Sequence, residues 1–214
     1  GLLQDVYPTF KDDVLQVIKT VRQTNQEVID LLINNKIFIE RTIDVGILPA
    51  DVAINYGCSG PMLRGSGIKH DLRRVEPYSI YDKFDFEVAV GDGKVGKVGD
   101  SYNRNIVRMY EMEESCKILE QAIKLISDAS EDVRAGIPKK ITPKGEIYTK
   151  AENPKGELGF YIIADGKNKP YRVKGRSPSF VNLSVLPEIS KGYMIADLII
   201  ILGSVDIVLG EIDR

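Results

Sequence analysis

The chain has 214 residues, of which 43% are hydrophobic and 28% charged, a balance typical of a globular protein with enough apolar material for a core. Its formal net charge of −2 excludes the basic surface that marks a nucleic-acid-binding protein. The two cysteines, Cys58 and Cys116, fit no metal-ligand spacing, and the longest apolar stretch, residues 195–210, contains aspartates and is shorter than the roughly 20 residues of a membrane-spanning helix.

The first part of the chain predicts two helices and a loop. Apolar residues recur at steps of three and four over residues 9–35, which predicts a long amphipathic helix. A short helix is predicted over residues 49–56, with Gly57 at its end. Residues 57–67 hold four glycines and a proline, which predicts a loop that turns sharply or passes close to another segment. The apolar stripe of the long helix consists of Val14, Val17, Ile18, Val21, Val28, Leu31 and Leu32.

A strand and a second long helix follow in the middle of the chain. Apolar and polar residues alternate over residues 84–90, which predicts a half-buried strand. A glycine- and lysine-rich turn, residues 91–99, leads into a helix predicted over residues 100–127, and residues 127–144 form a polar connector. The apolar stripe of the second long helix consists of Ile106, Tyr110, Ile118, Leu119, Ala122, Ile123 and Ile126.

The last third of the chain predicts a small sheet and a further helix. Residues 147–152, 158–164 and 171–174 predict three strands of an antiparallel sheet. A third helix is predicted over residues 187–202. The predicted fold class is therefore α+β, a single domain over residues 1–214 in which a bundle of long helices carries a small antiparallel sheet.

Residues 203–214, which we call the C-terminal segment, set charges among apolar residues. Asp206, Glu211, Asp213 and Arg214 stand between valines, isoleucines and a leucine. A charge in apolar surroundings must be paired or shift its pKa, and such placement favours a functional site. The pattern predicts either a charge network beside a cavity or a set of ion pairs that stabilise a C-terminal strand.

Residues 58–74, which contain most of the glycine-rich loop and which we call the glycine-rich segment, carry Arg64, Arg73 and Arg74, whose charges suit an anion or a cofactor. The glycine spacing matches neither a P-loop nor a dinucleotide fingerprint. The alternative is a tight loop whose arginines pair with carboxylates of the bundle. His70 and Cys58 have no evident acid–base partner, so a surface or pairing role is favoured for the histidine and a structural role for the cysteine.

The second long helix presents Arg104, Arg108, Glu111 and Glu114 at steps of three and four. Residues at this spacing lie on one side of a helix and can pair with one another. They form either a solvated or interhelical charged face, or a charged partner for the glycine-rich loop.

The motifs SGPMLRGSGIKHDLR at residues 59–73 and GSVDIVLGEIDR at residues 203–214 have PYSIYD, GDSYNR and PKGELG in order between them. Together they resemble the C-terminal part of the 49 kDa subunit of respiratory complex I, the proton-pumping NADH:quinone oxidoreductase. The resemblance covers nearly the whole chain. Because that family is related to the large subunit of nickel–iron hydrogenases, the resemblance implies a hydrogenase large-subunit-like fold.

The relation to hydrogenases bears on the C-terminal segment. In hydrogenases a Cys-x-x-Cys near the C-terminus binds the metal, and Val208 and Glu211 occupy the matching positions here. Without thiolates the soft-ligand site is lost. The resemblance therefore implies no hydrogenase activity, no bound metal and no cofactor held by this chain.

The resemblance implies instead a subunit that helps to form the quinone-reduction pocket. Electrons reach the pocket from the terminal iron–sulfur cluster, which a small neighbouring subunit holds, and the quinone is a substrate at a shared site. The residues that would line or support the pocket are Asp206, Val208, Glu211, Asp213, Arg214, Lys155 and Arg64.

No catalytic residue is expected in this chain, because the family's histidine and tyrosine that hold the quinone head group belong to its N-terminal half. The chain is expected to be a fragment, or one piece of a split subunit, and inactive by itself. Its expected partners are the other complex I subunits, above all the small iron–sulfur subunit, and that missing half. The expected location is peripheral, on the cytoplasmic face of a bacterial inner membrane or the matrix side in mitochondria.

Two alternatives stay open. One is a subunit of a hydrogenase-like membrane complex that uses a different electron donor. The loss of the cysteine pair counts against a metal-carrying member of that class but not against a metal-free one. The other alternative is a purely structural bundle whose charges only orient its neighbours.

Overall fold

Two long helices frame the fold. Helix α1 (Phe10–Val28) continues through one π-helical turn (Ile29–Ile33), and helix α6 (Ser101–Ile126) packs along it. Both long helices predicted from the sequence are thereby confirmed. This computed structural model describes residues 6–126, 136 and 141–213. Most of the predicted polar connector, residues 127–144, lies outside that range.

Short helices connect the two long ones along the chain. They are α2 (Lys36–Thr42), α3 (Ala50–Asn55), α4 (Pro61–Gly65) and α5 (Leu72–Val75). Helix α3 confirms the short helix predicted there. The glycine-rich stretch is not a loop throughout, because Pro61 starts α4 within it. The predicted close approach is confirmed: a Cβ on Gly60 would lie 2.5 Å from the Cα of Gly156.

The strand predicted over residues 84–90 is wrong, although the predicted alternation is present. Phe84, Phe86 and Val88 are buried, as a half-buried strand requires. In the part of the chain that the structure describes, however, this extended segment pairs with no other strand. The backbone N–H of Asp85 and that of Glu87 donate to side chains of α6 instead, so the helix takes the place of a neighbouring strand.

The small sheet is confirmed with all three of its strands. They are β1 (Lys144–Asn153), β2 (Gly156–Asp165) and β3 (Arg172–Arg176), antiparallel in the order β1-β2-β3. Asn153 pairs with Gly156, so residues 154–155 form the tight turn between β1 and β2, which we call the β1–β2 turn. This turn reaches back to the helical part of the chain.

The single helix predicted over residues 187–202 is wrong. Residues 187–202 instead hold most of α8 (Leu186–Ile189) and the first part of α9 (Ile195–Val205), while α7 (Pro178–Leu183) precedes them and α10 (Leu209–Ile212) follows. Gly192, with φ 82°, separates α8 from α9 because its left-handed backbone cannot continue a helix. The C-terminal segment therefore contains helix rather than the strand considered above. Across both described stretches, no helix has the length and hydropathy to cross a bilayer.

The main core lies where the short helices meet α9, around Leu48, Met62, Val185, Ile201 and Val205. The apolar stripe predicted for α1 is buried only in part. Ile18 packs on Cys116 and Ile123 of α6. Val17 is 55% exposed and Leu31 77% exposed, because α1 lies against α6 along one narrow strip.

We expect Gly60→Ala to lower the free energy of unfolding by about 2–5 kcal/mol, from backbone strain and overpacking together. Gly60 has φ 64° and ψ −146°, a conformation that alanine rarely adopts, and its neighbour Gly156 leaves no room for a methyl group. Urea unfolding followed by circular dichroism measures the change.

Gly203→Ala is the matched control, since Gly203 lies inside α9 and a Cβ there meets nothing within 4 Å. It should raise the stability by up to about 1 kcal/mol through helix propensity. Equal stability of the two variants would contradict the packing of the β1–β2 turn described here.

Candidate functional site

Charged side chains from several parts of the fold meet at one open cavity of about 550 Å³. The cavity lies between α6, the end of β1 with the β1–β2 turn, the region of α4 and α5, and the residue that ends α9. This volume falls in the usual range for small-molecule sites. The charged residues that line it are Arg64, Arg73, Arg108, Glu111, Glu152, Lys155 and Asp206.

Asp206 lies where α9 ends, in the left-handed conformation with φ 58°. Its carboxylate accepts a hydrogen bond from the ammonium of Lys155, on the β1–β2 turn. It also forms an ion pair with Arg108 of α6, whose Nε lies 3.1 Å from Oδ2. Asp206 therefore connects α9, α6 and the sheet, as one of the two interpretations of the C-terminal segment predicts.

Arg108 fixes the end of α9 as well as the charge of Asp206. Its Nη2 donates to the Val205 carbonyl at 3.1 Å, and its Nη1 donates to the Arg104 carbonyl on its own helix at 2.8 Å. The Nε is buried, and among the described residues it has no hydrogen-bond acceptor in good alignment despite its closeness to Asp206. Burial lowers the pKa of the Arg108 guanidinium, while Asp206 raises it.

Arg104, one turn earlier on α6, is fully buried and stabilises the same junction. Its guanidinium donates to the Ser204 hydroxyl at 2.8 and 3.0 Å and to the carbonyls of Gly46 and Gly99 at 2.9 and 2.5 Å. Burial lowers its pKa, and the nearby Arg108 charge lowers it further. The two arginines thus hold α9 against α6 through carbonyl and hydroxyl oxygens.

Arg64 is 2% exposed and binds the opposite side of the cavity. Its Nε donates to Glu111 on α6 at 2.5 Å, and its Nη1 donates to Glu152 on β1 at 2.7 Å. Two interpretations are confirmed by this contact: the arginine of the glycine-rich segment pairs with a bundle carboxylate, and α6 supplies its charged partner. Glu114 differs, since it accepts from the backbone N–H of Glu87.

Two carboxyl groups beside Arg64 have opposite pKa shifts. Burial raises the pKa of Glu111, and the Arg64 charge offsets this only in part. Burial also disfavours the charged form of Asp71, but hydrogen bonds from Arg73 and the charges of Arg73 and Arg64 outweigh it and lower the pKa. Glu111 also has the Glu152 carboxylate nearby, which raises its pKa further, whereas Asp71 accepts hydrogen bonds from both the side chain and the backbone N–H of Arg73.

The other residues of the glycine-rich segment have structural roles. The His70 carbonyl accepts from Arg64 at 2.9 Å, and Arg74 stacks over the Phe86 ring at 4.1 Å. Cys58 is buried, and burial raises the pKa of its thiol to about 11, so it is protonated at neutral pH.

Among the described residues of the C-terminal segment, Val208, Glu211 and Asp213 do not line the cavity. The Glu211 carboxylate accepts from the Ser177 hydroxyl and the Ser179 backbone N–H, both at 3.0 Å. The backbone N–H of Val208 donates to the Ser179 hydroxyl at 3.2 Å, while the Val208 side chain is 41% exposed. Asp213 is exposed, and Arg214 lies outside the described residues.

Sequence reasoning missed the start of α7, which holds the C-terminal segment. Ser177 and Pro178 are a helix-start signal that could have located this helix. The role of Ser179 in binding the backbone of Val208 has no sequence signal, because the two residues are far apart in the chain.

The chain is similar to known proteins along its whole length. It matches the model of a family described as "Respiratory-chain NADH dehydrogenase, 49 Kd subunit" over residues 1–141 and 134–214. It is 56% identical to the D subunit of the NADH-quinone oxidoreductase of Chlorobaculum tepidum and to that of Pelodictyon phaeoclathratiforme, and 55% identical to that of Chlorobium luteolum. Each alignment covers 100% of this chain and 54% or 55% of the relative, so the chain spans about half the length of the curated relatives it matches.

We expect Asp71→Asn to destabilise the protein by about 3–5 kcal/mol at neutral pH, because it removes the buried carboxylate that pairs with Arg73 and also lies 3.8 Å from Arg64. The asparagine can still cap α5 through the Arg73 backbone N–H. Since the folded pKa of Asp71 lies below its ordinary value of 3.8, the stabilisation is complete above that pH and is lost as the pH falls through the folded pKa.

The difference in unfolding free energy between Asp71→Asn and the unsubstituted protein should therefore narrow at acidic pH. Urea titrations at neutral and acidic pH can measure it. Asp85→Asn is the matched control, because the Asp85 side chain is fully exposed. It should leave the unfolding free energy unchanged at both pH values. A pH-independent loss in Asp71→Asn would exclude the charge as its cause.

Proposed function

The chain belongs to the family of the 49 kDa subunit of respiratory-chain NADH dehydrogenase, and on that premise we propose that it is a core peripheral-arm subunit of a proton-translocating NADH:quinone oxidoreductase. In this proposal the charged side chains that line the cavity form part of the wall of the quinone-reduction pocket. The observation that carries the proposal is the Asp206 ion pair with Lys155 and Arg108 at the cavity wall.

The chemistry of quinone reduction gives these charges a use. A quinone takes up two electrons and two protons, so negative charge develops on its carbonyl oxygens as electrons arrive. Fixed cations in a site shielded from water stabilise such charge without reorganisation. Arg108 and Lys155 are fixed cations at the cavity wall, and Asp206 pairs with both and offsets one of their two positive charges.

The remaining residues of the C-terminal segment support the pocket rather than bind the substrate. Glu211 and the backbone of Val208 fix the segment to α7, and Arg64 fixes α4 to α6 and β1. Asp213 and Arg214 are proposed to support the pocket on the family resemblance alone. We assign no catalytic residue and no cofactor to this chain.

The electron source in this proposal is an iron–sulfur cluster on a small neighbouring subunit. The rest of the same subunit, which the longer relatives contain, supplies the contacts to the quinone head group. The isolated chain is accordingly inactive. In the assembled complex the chain lies peripherally on the cytoplasmic face of a bacterial inner membrane, or on the matrix side in mitochondria.

We expect Asp206→Asn to lower kcat/KM for quinone by about tenfold in the assembled complex, a loss of about 1.4 kcal/mol in transition-state stabilisation. The amide cannot balance two cations, so Lys155 and Arg108 are free to reorient. NADH oxidation with an artificial electron acceptor that bypasses the quinone should stay unchanged. Steady-state kinetics of purified complexes measures both rates.

Asp165→Asn serves as the control, since this aspartate lies at the far end of the sheet and pairs with Lys167 near solvent. It should leave quinone reduction unaltered. Unchanged quinone kinetics in Asp206→Asn, with normal subunit content, would favour the purely structural bundle instead.

A further inference from the structure

The β1–β2 turn that carries Lys155 is held in place by one buried amide. Asn182 of α7 is 2% exposed. Its Oδ1 accepts from the Ser59 backbone N–H at 3.1 Å, and its Nδ2 donates to the carbonyls of Ser59 and Lys155 at 3.2 and 2.9 Å. One side chain thus joins α7, the glycine-rich segment and the β1–β2 turn.

Further contacts make this junction tight. The Ser59 hydroxyl accepts from the backbone N–H of Glu157 at 2.9 Å. A Cβ on Gly156 would lie 2.4 Å from that hydroxyl oxygen, so Gly156 packs directly against Ser59. The turn therefore cannot shift without breaking the hydrogen bonds of Asn182 or Ser59.

Both ends of Lys155 are consequently fixed. Asn182 binds its carbonyl, and Asp206 binds its ammonium. The same short helix also holds the other partner of the ion pair, because Ser179, three residues before Asn182, binds the backbone of Val208 just beyond Asp206. Residues three apart lie on the same side of a helix, so α7 positions the lysine and the aspartate together.

We propose that Asn182 is a positioning residue that sets the geometry of the Lys155–Asp206 ion pair at the cavity wall. Asn182 itself is not among the described residues that line the cavity. Its effect on the ion pair stands on the contacts above, whereas its effect on quinone kinetics rests on the proposed function.

Asn182→Asp tests the proposal with almost no change of volume. The carboxylate can still accept from the Ser59 backbone N–H, but it loses both donors and brings a negative charge against two carbonyl oxygens. An uncompensated negative charge buried against carbonyl oxygens destabilises the folded state, so the β1–β2 turn should separate from α7.

Hydrogen exchange, measured on the protein isolated from cells with its bound partners, gives a readout that does not depend on activity. In Asn182→Asp we expect amides of residues 155–158 and 205–212 to exchange at least about tenfold faster, with no change in α1. Asn105→Asp is the control, because Asn105 bonds the Ser101 carbonyl of its own helix. Unchanged exchange in these two segments would overturn the proposal.

If Asn182→Asp fails to assemble, Asn182→Ala removes the same three hydrogen bonds without adding a charge. The same segments should exchange about threefold faster or more, and unchanged exchange would again overturn the proposal.

Steady-state kinetics of the assembled complex tests whether Asn182 acts through Lys155. Asn182→Asp should raise KM for quinone about fivefold alone but less than twofold in a Lys155→Ala background, because neighbours that act through one contact are not additive. Fully additive effects would show that Asn182 does not act through Lys155. Faster exchange with unchanged quinone kinetics would support the positioning role while contradicting the proposed function.

Discussion

The buried guanidinium of Arg64 is the contact on which the arrangement of the cavity depends. A charge that is 2% exposed costs several kcal/mol unless opposite charges and hydrogen-bond acceptors surround it. Arg64 obtains them from Glu111 on α6, Glu152 on β1 and the carbonyl of His70. These partners come from separate parts of the chain, so burying the arginine requires that the long helix and the sheet meet at one place.

Arg104 and Arg108 of α6 impose the same requirement for buried partners on the C-terminal part of the chain. Arg104 binds Ser204 with the carbonyls of Gly46 and Gly99, and Arg108 binds the carbonyl that precedes Asp206. Removing one partner of such a set leaves a polar group buried and unsatisfied, which costs more than the bond itself contributes. The network therefore fixes where α9 ends and, through it, where the C-terminal segment begins.

Local patterns predicted the two longest helices and the sheet, and failed where distant partners decide. The two long helices, α3 and the three strands follow from periodicity and turn residues. Residues 84–90 have the alternation of a strand, but side chains of α6 take their backbone hydrogen bonds. The apolar stripe of α1 shows helical periodicity, yet periodicity cannot show that Leu31 stays largely exposed. Gly192 interrupts the helix predicted over residues 187–202 because its φ is left-handed. Several other glycines do not have a left-handed φ, so the residue type alone does not predict the break.

For the site, the sequence alone determined the residue types and the family: charges set among apolar residues in the C-terminal segment, arginines beside glycines, and motifs shared with the 49 kDa subunit family. Which charges meet was decided by the tertiary structure. It brings Asp206 to Lys155 and Arg108, turns Glu211 towards α7, and makes Asn182 the support of the β1–β2 turn. Periodicity reports on neighbours within a few residues, whereas these partners are separated by tens of residues. Only the packing that excludes water from a charge decides which distant partner must satisfy it.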